Sequence, residues 1–273
     1  MPLRVAIYAR PDRAEALELA REAYRRLASL GARAYYDVSI AGMLGGPSID
    51  LRFENVDAVV VIGGDGTVLR LLQLVGARSP LLHLVRLGHR AFLFEPLEPE
   101  VSIELLERLV TGDYRVEELP RLLVKAPGYE GLALNEAAVL ALGSKVAGLR
   151  ILVGEAVVYR SLEGDGVIVS TPAGSTAYNY SAGGPILHPG LEAIVVTPVN
   201  PVNRSHGPLV VPGSTEVTVF VERTHRPVKL IVDGVQERLL YRGALVTARL
   251  GGTPARIARY TQRPGWLRLP WPH

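Results

Sequence analysis

The segment Val59-Val60-Val61-Ile62-Gly63-Gly64-Asp65-Gly66-Thr67 decides how the chain is read. A run of β-branched residues stops abruptly at three glycines with one carboxylate set among them. The apolar run reads as a buried parallel strand. Residues 68–75 (VLRLLQLV) read as a helix packed on it and closed by Gly76. Strand, glycine loop and helix start together make an anion site, because glycine lets a phosphate approach the backbone and the free N–H groups point outward. Asp65 is the odd member. A carboxylate repels phosphate, so it points to chemistry or metal binding rather than anchoring. Gly-Asp-Gly is also good turn chemistry, and the loop alone leaves these readings open.

Working outward, residues 3–8 read as a first strand, 12–30 as a helix ending at Gly31, and 32–38 as a second strand. Residues 41–48 hold three glycines and a proline and read as a loop. A further strand is expected at 81–85. This β-α-β alternation argues for an open, mostly parallel sheet over roughly the first 95 residues. Ligands of such sheets sit beyond the carboxyl ends of the strands, where residues 63–67 fall. After a helix expected at 102–111 the pattern becomes strand-rich, with short runs at 121–126, 132–140, 149–153, 156–161, 166–170, 193–197, 216–222, 228–232, 239–241 and 244–250. Broken by Gly and Pro, these suggest an antiparallel β-sandwich, with one helix inside it near 175–182. The expected fold class is therefore α/β plus all-β: an N-terminal Rossmann-like open parallel sheet (1–98), a C-terminal β-sandwich domain (99–252), and a tail (253–273) that packs back on the first domain.

The 273 residues are 48% hydrophobic, contain no tract long enough to span a bilayer and open with no signal-peptide layout. The absence of cysteine excludes disulfides, thiolate metal sites and cysteine nucleophiles, and makes the cytoplasm the default location. Only Lys125, Lys145 and Lys229 are lysines, so 27 of the 30 basic residues are arginine. Arginine suits bidentate phosphate contacts, although a coding or thermal bias explains most of this excess. A net charge of +3 without a basic stripe argues against a nucleic-acid partner. The six histidines show no metal-ligand spacing.

Three further stretches are richer in small polar residues than a sandwich core requires. They are Asn135-Glu136 at the start of an apolar strand, residues 164–178 (GDGVIVSTPAGSTAY), and Asp233-Gly234 followed by Gln236. Each has a plain structural reading as a strand-end turn, a helix cap by Ser175 or Thr176, or a hairpin turn.

Together with the Gly63-Gly64-Asp65-Gly66-Thr67 loop, however, this set resembles the NAD kinase family. The match runs over about residues 55–235 and includes Asn135-Glu136, Thr171-Pro172, Gly174-Ser175-Thr176-Ala177-Tyr178, Ser181-Ala182-Gly183-Gly184 and Asp233-Gly234. Where the family usually shows Asn-x-Gly-x-x-Gly-Phe-Leu, this chain has Arg86-Leu87-Gly88-His89-Arg90-Ala91-Phe92-Leu93, with Arg86 for an amide and Ala91 for a glycine. Ala173 stands for a common threonine, the histidine often found after Pro201 is missing, and Val235 precedes Gln236.

The resemblance implies transfer of a terminal phosphoryl group to the 2′-hydroxyl of the adenosine ribose of NAD, making NADP. Asp65 would be the catalytic base. Gly63, Gly64, Gly66, Thr67 and Arg70 would meet the phosphoryl donor. Asn135, Glu136, Lys145, Asp165, Ser175, Thr176, Ala177, Tyr178, Ser181 and Gln236 would bind NAD, with Asp165 at its nicotinamide half. Mg²⁺ or another divalent metal would arrive with the donor, ATP or another nucleoside triphosphate or polyphosphate, with no protein ligand assigned. A homodimer or homotetramer is implied as well. Two rivals are a diacylglycerol-type lipid kinase, which shares the Gly-Asp-Gly-Thr loop, and a non-catalytic dinucleotide-binding module. The first places Asn-Glu just after its loop, whereas here Val68-Leu69-Arg70 follows and Asn135-Glu136 lies far downstream.

Overall fold

A computed structural model describes residues 1–88, 91–143, 145–224 and 226–261. It divides into two compact units, one of Met1–Glu118 joined by residues 255–261, the other of Leu119–Pro254. The first unit thus extends 20 residues beyond the boundary expected at residue 98. Residues 99–111 form two short helices, Pro99–Glu104 and Leu106–Thr111, that belong to it rather than one helix opening the sandwich. Ile103, Leu106 and Leu109 carry them into its core. Residues 262–273 of the expected tail lie outside the described residues.

The first unit is built on β1 (Arg4–Ala9), α1 (Ala14–Ser29), β2 (Arg33–Asp37), α2 (Val38–Leu44), β3 (Ser48–Ile49), β4 (Ala58–Gly63), α3 (Asp65–Val75) and β5 (Leu81–Arg86). Its seven-stranded sheet runs β3-β2-β1-β4-β5, then Ala255–Arg259, then Arg115–Leu119. The pairs from β3 through Ala255–Arg259 are parallel. Every residue of β4 is buried, as its unbroken apolar run requires of a strand covered on both faces. Ala16, Ala20, Ala23 and Leu27 of α1, spaced at helical intervals, pack on one of those faces. The chain reverses its direction of travel across the sheet between β1 and β4, and Gly64 alone links β4 to α3 at that switch point, so residues 65–67 open the helix instead of forming the expected loop.

The loop expected from residue 41 is overturned in part. Residues 38–44 are helical, not loop, because Asp37 caps them: its Oδ1 accepts the Ser39 N–H at 3.0 Å and the Ser39 hydroxyl at 2.6 Å. Ile40 is fully buried and Gly45, at φ 66°, ends the helix, so capping and burial outweigh the glycine content.

The second unit stacks two six-stranded antiparallel sheets. One has the order Ala156–Gly164, Ala147–Val153, Val217–Arg223, Leu245–Leu250, Leu122–Ala126, Tyr129–Ala133. The other runs Leu209–Pro212, Ala193–Val199, Gly166–Ser170, Glu136–Ala141, Val228–Val232, Gln236–Leu240. Their inner faces share a core that includes Val124, Leu149, Ile151, Val167, Val169, Val196, Val219 and Leu230. Each such side chain contributes roughly 1.5–3 kcal/mol by leaving water.

The run expected as a single strand at 132–140 is in fact two strands in different sheets, Tyr129–Ala133 and Glu136–Ala141. Alternation alone could not reveal the break, because both halves are apolar. The chain changes sheet at Leu134-Asn135, and there its backbone N–H groups have no ladder to join.

Candidate active site

In the first unit the site grows from the end of β4. Gly64 caps α3 without a side chain, and Asp65 is the first helical residue. Thr67 donates its N–H to the Gly64 carbonyl at 2.8 Å, which leaves the first amides of the helix facing outward. A Cβ on Gly63 would collide with the Thr67 side chain, which is itself 3% exposed. Gly63 and Thr67 therefore shape the junction from beneath, while Gly66 forms its exposed surface with an Arg70 guanidinium nitrogen beside it.

Asp65 is held by two backbone donors. Phe92 donates its N–H to Oδ2 at 2.8 Å, and Leu93 donates to Oδ1 at 3.0 Å. Burial raises the pKa of this carboxyl, and the two N–H bonds oppose that rise. Each oxygen keeps a second lone pair. The result is an oriented carboxylate made more basic by desolvation. Sequence reasoning singled out Asp65 but not these donors, because backbone amides leave no side-chain signature. Their use also explains why the departures at Arg86 and Ala91 spare the contact. Arg86 lies beside Gly63 at the end of β5 and faces Glu98 at 3.8 Å, while Ala91 is buried. His89 and Arg90 lie outside the described residues.

In the second unit the sheet change at Leu134-Asn135 is clamped by Asp233. Its Oδ2 accepts the Leu134 N–H at 2.8 Å, and its Oδ1 accepts those of Asn135 at 2.7 Å and Glu136 at 3.3 Å. Asp233 reaches them from a hairpin turn whose two central residues sit at positive φ, 53° for Asp233 and 65° for Gly234. On the other side, Thr171 donates its N–H to the Asn135 carbonyl at 2.9 Å. Gly174 packs so close to that carbonyl that a Cβ would overlap the Asn135 backbone. The Asn135-Glu136 pair is thus fixed from two sides by backbone contacts.

Glu136 is 8% exposed, and its Oε2 has no hydrogen-bond partner among the described residues. Burial foremost, then the Asp233 charge, pushes its pKa to about 8, against a hydrogen bond from the Tyr178 N–H. An acid whose folded-state pKa lies above its unfolded value holds its proton while the unfolded chain releases it. Stability therefore falls as pH rises from about 4.5 toward about 8. Glu136→Gln is expected to flatten that decline and raise the unfolding temperature at pH 8, as a series of melts from pH 5 to 9 would show. An unchanged slope would locate the titration elsewhere.

Ala173–Thr176 is a 3₁₀ turn and Tyr178–Ser181 a single helical turn, not the continuous helix expected there. Ser175 is fully buried and its hydroxyl stays within the fold, donating to the Pro172 carbonyl at 2.6 Å and accepting the Leu187 N–H at 2.9 Å. Asn179, absent from the sequence-based set, holds the segment in place. Its amide donates to the carbonyls of Ser175 and Pro185, and its oxygen accepts the Thr197 hydroxyl at 2.6 Å. Thr176 and Ala177 remain partly accessible, while Tyr178 and Ser181 are exposed.

Strand pairing brings Asn135, Glu136, the 171–181 segment and Gln236 to one end of this sheet, since Glu136 pairs with Ser170 and Val232 pairs with both Ala137 and Gln236. Asp165 and Lys145 are not brought there. Asp165 precedes Gly166, which pairs with Leu140, so five residues put it roughly 17 Å from the Ser170 end. Its carboxylate accepts the Asn200 side-chain amide at 2.7 Å, and Lys145 is exposed beyond the same far end.

A carboxylate flanked by glycines at a switch point, beside the free N–H groups of a helix start, can accept a proton next to a bound anion. The family model for the ATP-NAD kinase N-terminal domain matches residues 5–114, and that for the ATP-NAD kinase C-terminal domain matches residues 134–260. The chain belongs to the NAD kinase family. An NAD kinase of Aeropyrum pernix is 35% identical over 247 residues, covering 89% of this chain and 88% of that protein. The crystal structure of an NAD kinase from Archaeoglobus fulgidus in complex with ATP superposes with a TM-score of 0.78 at 28% identity, over 98% of this chain and 97% of that one. Yeast NADH kinase complexed with NADH shares the fold alone, with a TM-score of 0.88 at 22% identity over 98% and 86% of the chains. These relatives support neither a lipid kinase nor a non-catalytic module. No described helix is long and apolar enough to cross a membrane.

Proposed function

We propose that the chain phosphorylates the 2′-hydroxyl of the adenosine ribose of NAD, with ATP or polyphosphate as donor and Asp65 as the general base. Support comes above all from the Asp65 carboxylate, oriented by the Phe92 and Leu93 amides and made more basic by burial, at the start of a helix whose free N–H groups suit phosphate. The hydroxyl proton passes to an Asp65 oxygen as the ribose oxygen attacks the terminal phosphorus. The bond from that phosphorus to the donor's bridging oxygen breaks, and the shortened donor leaves. Gly64, Gly66 and Arg70 bind the donor. Positioning and charge neutralisation supply the remaining acceleration.

Asn135, Glu136, Thr176, Ala177, Tyr178, Ser181 and Gln236 hold the dinucleotide in this reading. The unpartnered Glu136 Oε2 suits a ribose hydroxyl of the ligand. Ser175 serves through the backbone it fixes. Asp165 and Lys145, at the far end of the sheet, have the weakest case within one chain. Among the described residues no group of three His, Asp or Glu side chains is placed to hold a metal ion. In this reading a Mg²⁺ carried by the donor's phosphates and water would supply charge neutralisation. A homo-oligomeric, cytoplasmic enzyme completes the reading.

Incubation of the purified chain with NAD, Mg²⁺ and either ATP or polyphosphate is expected to yield NADP phosphorylated at the 2′ position, assigned by ³¹P–¹³C coupling. Dinucleotide binding without NADP would overturn the reading in favour of a non-catalytic module.

A further inference from the structure

The two amides that hold Asp65 belong to an irregular strip, residues 91–98, that joins no sheet or helix. Such a strip is positioned by its side contacts. On one side the Phe92 and Leu93 N–H groups meet Asp65. On the other it is gripped by the end of the last strand, Ala255–Arg259. Arg259 donates from Nη1 to the Leu93 carbonyl at 2.6 Å and from Nε to Glu117 Oε2 at 2.7 Å. The Arg259 side chain is only 10% exposed. Two residues further on the grip is repeated. Glu95, 8% exposed, accepts the Tyr260 N–H at 3.2 Å, and the Thr261 N–H and hydroxyl at 2.7 Å each.

We propose that Arg259 is a positioning residue for the phosphoryl-transfer step: braced by Glu117, it holds the Leu93 carbonyl and so fixes where the Phe92 and Leu93 amides present Asp65. The inference rests on the reading of Asp65 as base. It does not require Arg259 to touch either substrate. Leu93 is bonded on both edges, to Asp65 through its N–H and to Arg259 through its C=O. Displacement of the strip therefore displaces the carboxylate. A misplacement of about 1 Å costs on the order of 10²-fold in rate.

Arg259 and Glu117 form a partly buried ion pair, and replacing even a fully buried one by apolar side chains of similar volume is often neutral for folding. The double substitution Arg259→Met with Glu117→Leu therefore removes the Leu93 contact without stranding a charge. It is expected to lower kcat by about 10–100-fold, leave the KM for NAD within about twofold, and speed hydrogen exchange at the Phe92 and Leu93 amides. Glu117→Gln alone keeps the Leu93 bond and is expected to hold parental kcat within about threefold. Should the double variant fail to fold, Arg259→Lys, which cannot bridge Leu93 and Glu117 together, carries the same decision with a smaller loss of kcat. Parental kcat in the folded double variant, measured beside a slow Asp65→Asn enzyme, would overturn the proposal. A fast Asp65→Asn enzyme would instead sink the base assignment, leaving amide exchange at Phe92 and Leu93 to decide: faster exchange upholds the Arg259 contact as the positioning device, and unchanged exchange overturns it.

Discussion

Asp65→Asn is expected to cut turnover by about 10²–10⁴-fold, the usual worth of a positioned base acting on a weak nucleophile. An asparagine oxygen can still accept one of the two N–H bonds from Phe92 and Leu93. The amide nitrogen that replaces the other carboxylate oxygen cannot, so a small loss of local order accompanies the loss of basicity. Dinucleotide affinity is expected to stay within a few-fold of parental, because Asn135, Glu136 and Tyr178, proposed to hold the dinucleotide, are untouched. Steady-state kinetics with titration calorimetry separates the two quantities. A variant as fast as the parent would remove Asp65 from the chemistry. Burial raises the Asp65 pKa, so the acid limb of the kcat profile should lie above the ordinary carboxylate range.

The second large effect is expected at Asp233. Asp233→Ala leaves the N–H groups of Leu134, Asn135 and Glu136 without their acceptor at a point where no strand can supply another. An orphaned buried donor costs roughly 1–3 kcal/mol. Partial relaxation of three of them points to a loss of about 3–5 kcal/mol. Removal of the Asp233 charge also withdraws one of the two influences that raise the Glu136 pKa, so Glu136 should titrate lower than in the parent. Weaker NAD binding is also expected on the proposal that the Asn135-Glu136 pair holds the dinucleotide. Urea denaturation measures the stability loss through its midpoint at constant slope. A midpoint equal to the parental one would show that the three amides find other partners, and would demote Asp233 from clamp to ordinary turn residue. Asp233→Asn should be milder, since one acceptor oxygen remains.

The sequence was most legible where a residue's type is tied to its backbone. The glycines around Asp65 and the unbroken β-branched run before them announced a strand turning into a helix, although the helix begins at Asp65, three residues before the start expected at 68. The antiparallel sandwich was legible from strand spacing. The clamp on Asn135-Glu136 was not, because its partners are nearly a hundred residues apart and the bond runs from backbone to side chain. Asp233-Gly234 read correctly as a hairpin turn, yet its carboxylate does more than turn the chain. The α2 helix hid behind glycines because a single capping aspartate and one buried isoleucine decide it. Asn179 was passed over because an amide inside a tyrosine-rich stretch has no signature until Thr197, Ser175 and Pro185 close around it.

The strand Ala255–Arg259 lies between β5 and Arg115–Leu119, inside a sheet whose other strands are all encoded before residue 120. During synthesis those earlier strands emerge first, yet the neighbour of β5 leaves the ribosome only after the whole sandwich. The nascent first unit must wait with an unfilled slot beside β5, and it closes only when the last stretch of polypeptide arrives. A premature stop anywhere in the sandwich would thus cost more than the sandwich, because it would strand the earlier sheet with a raw edge open to pairing with other chains.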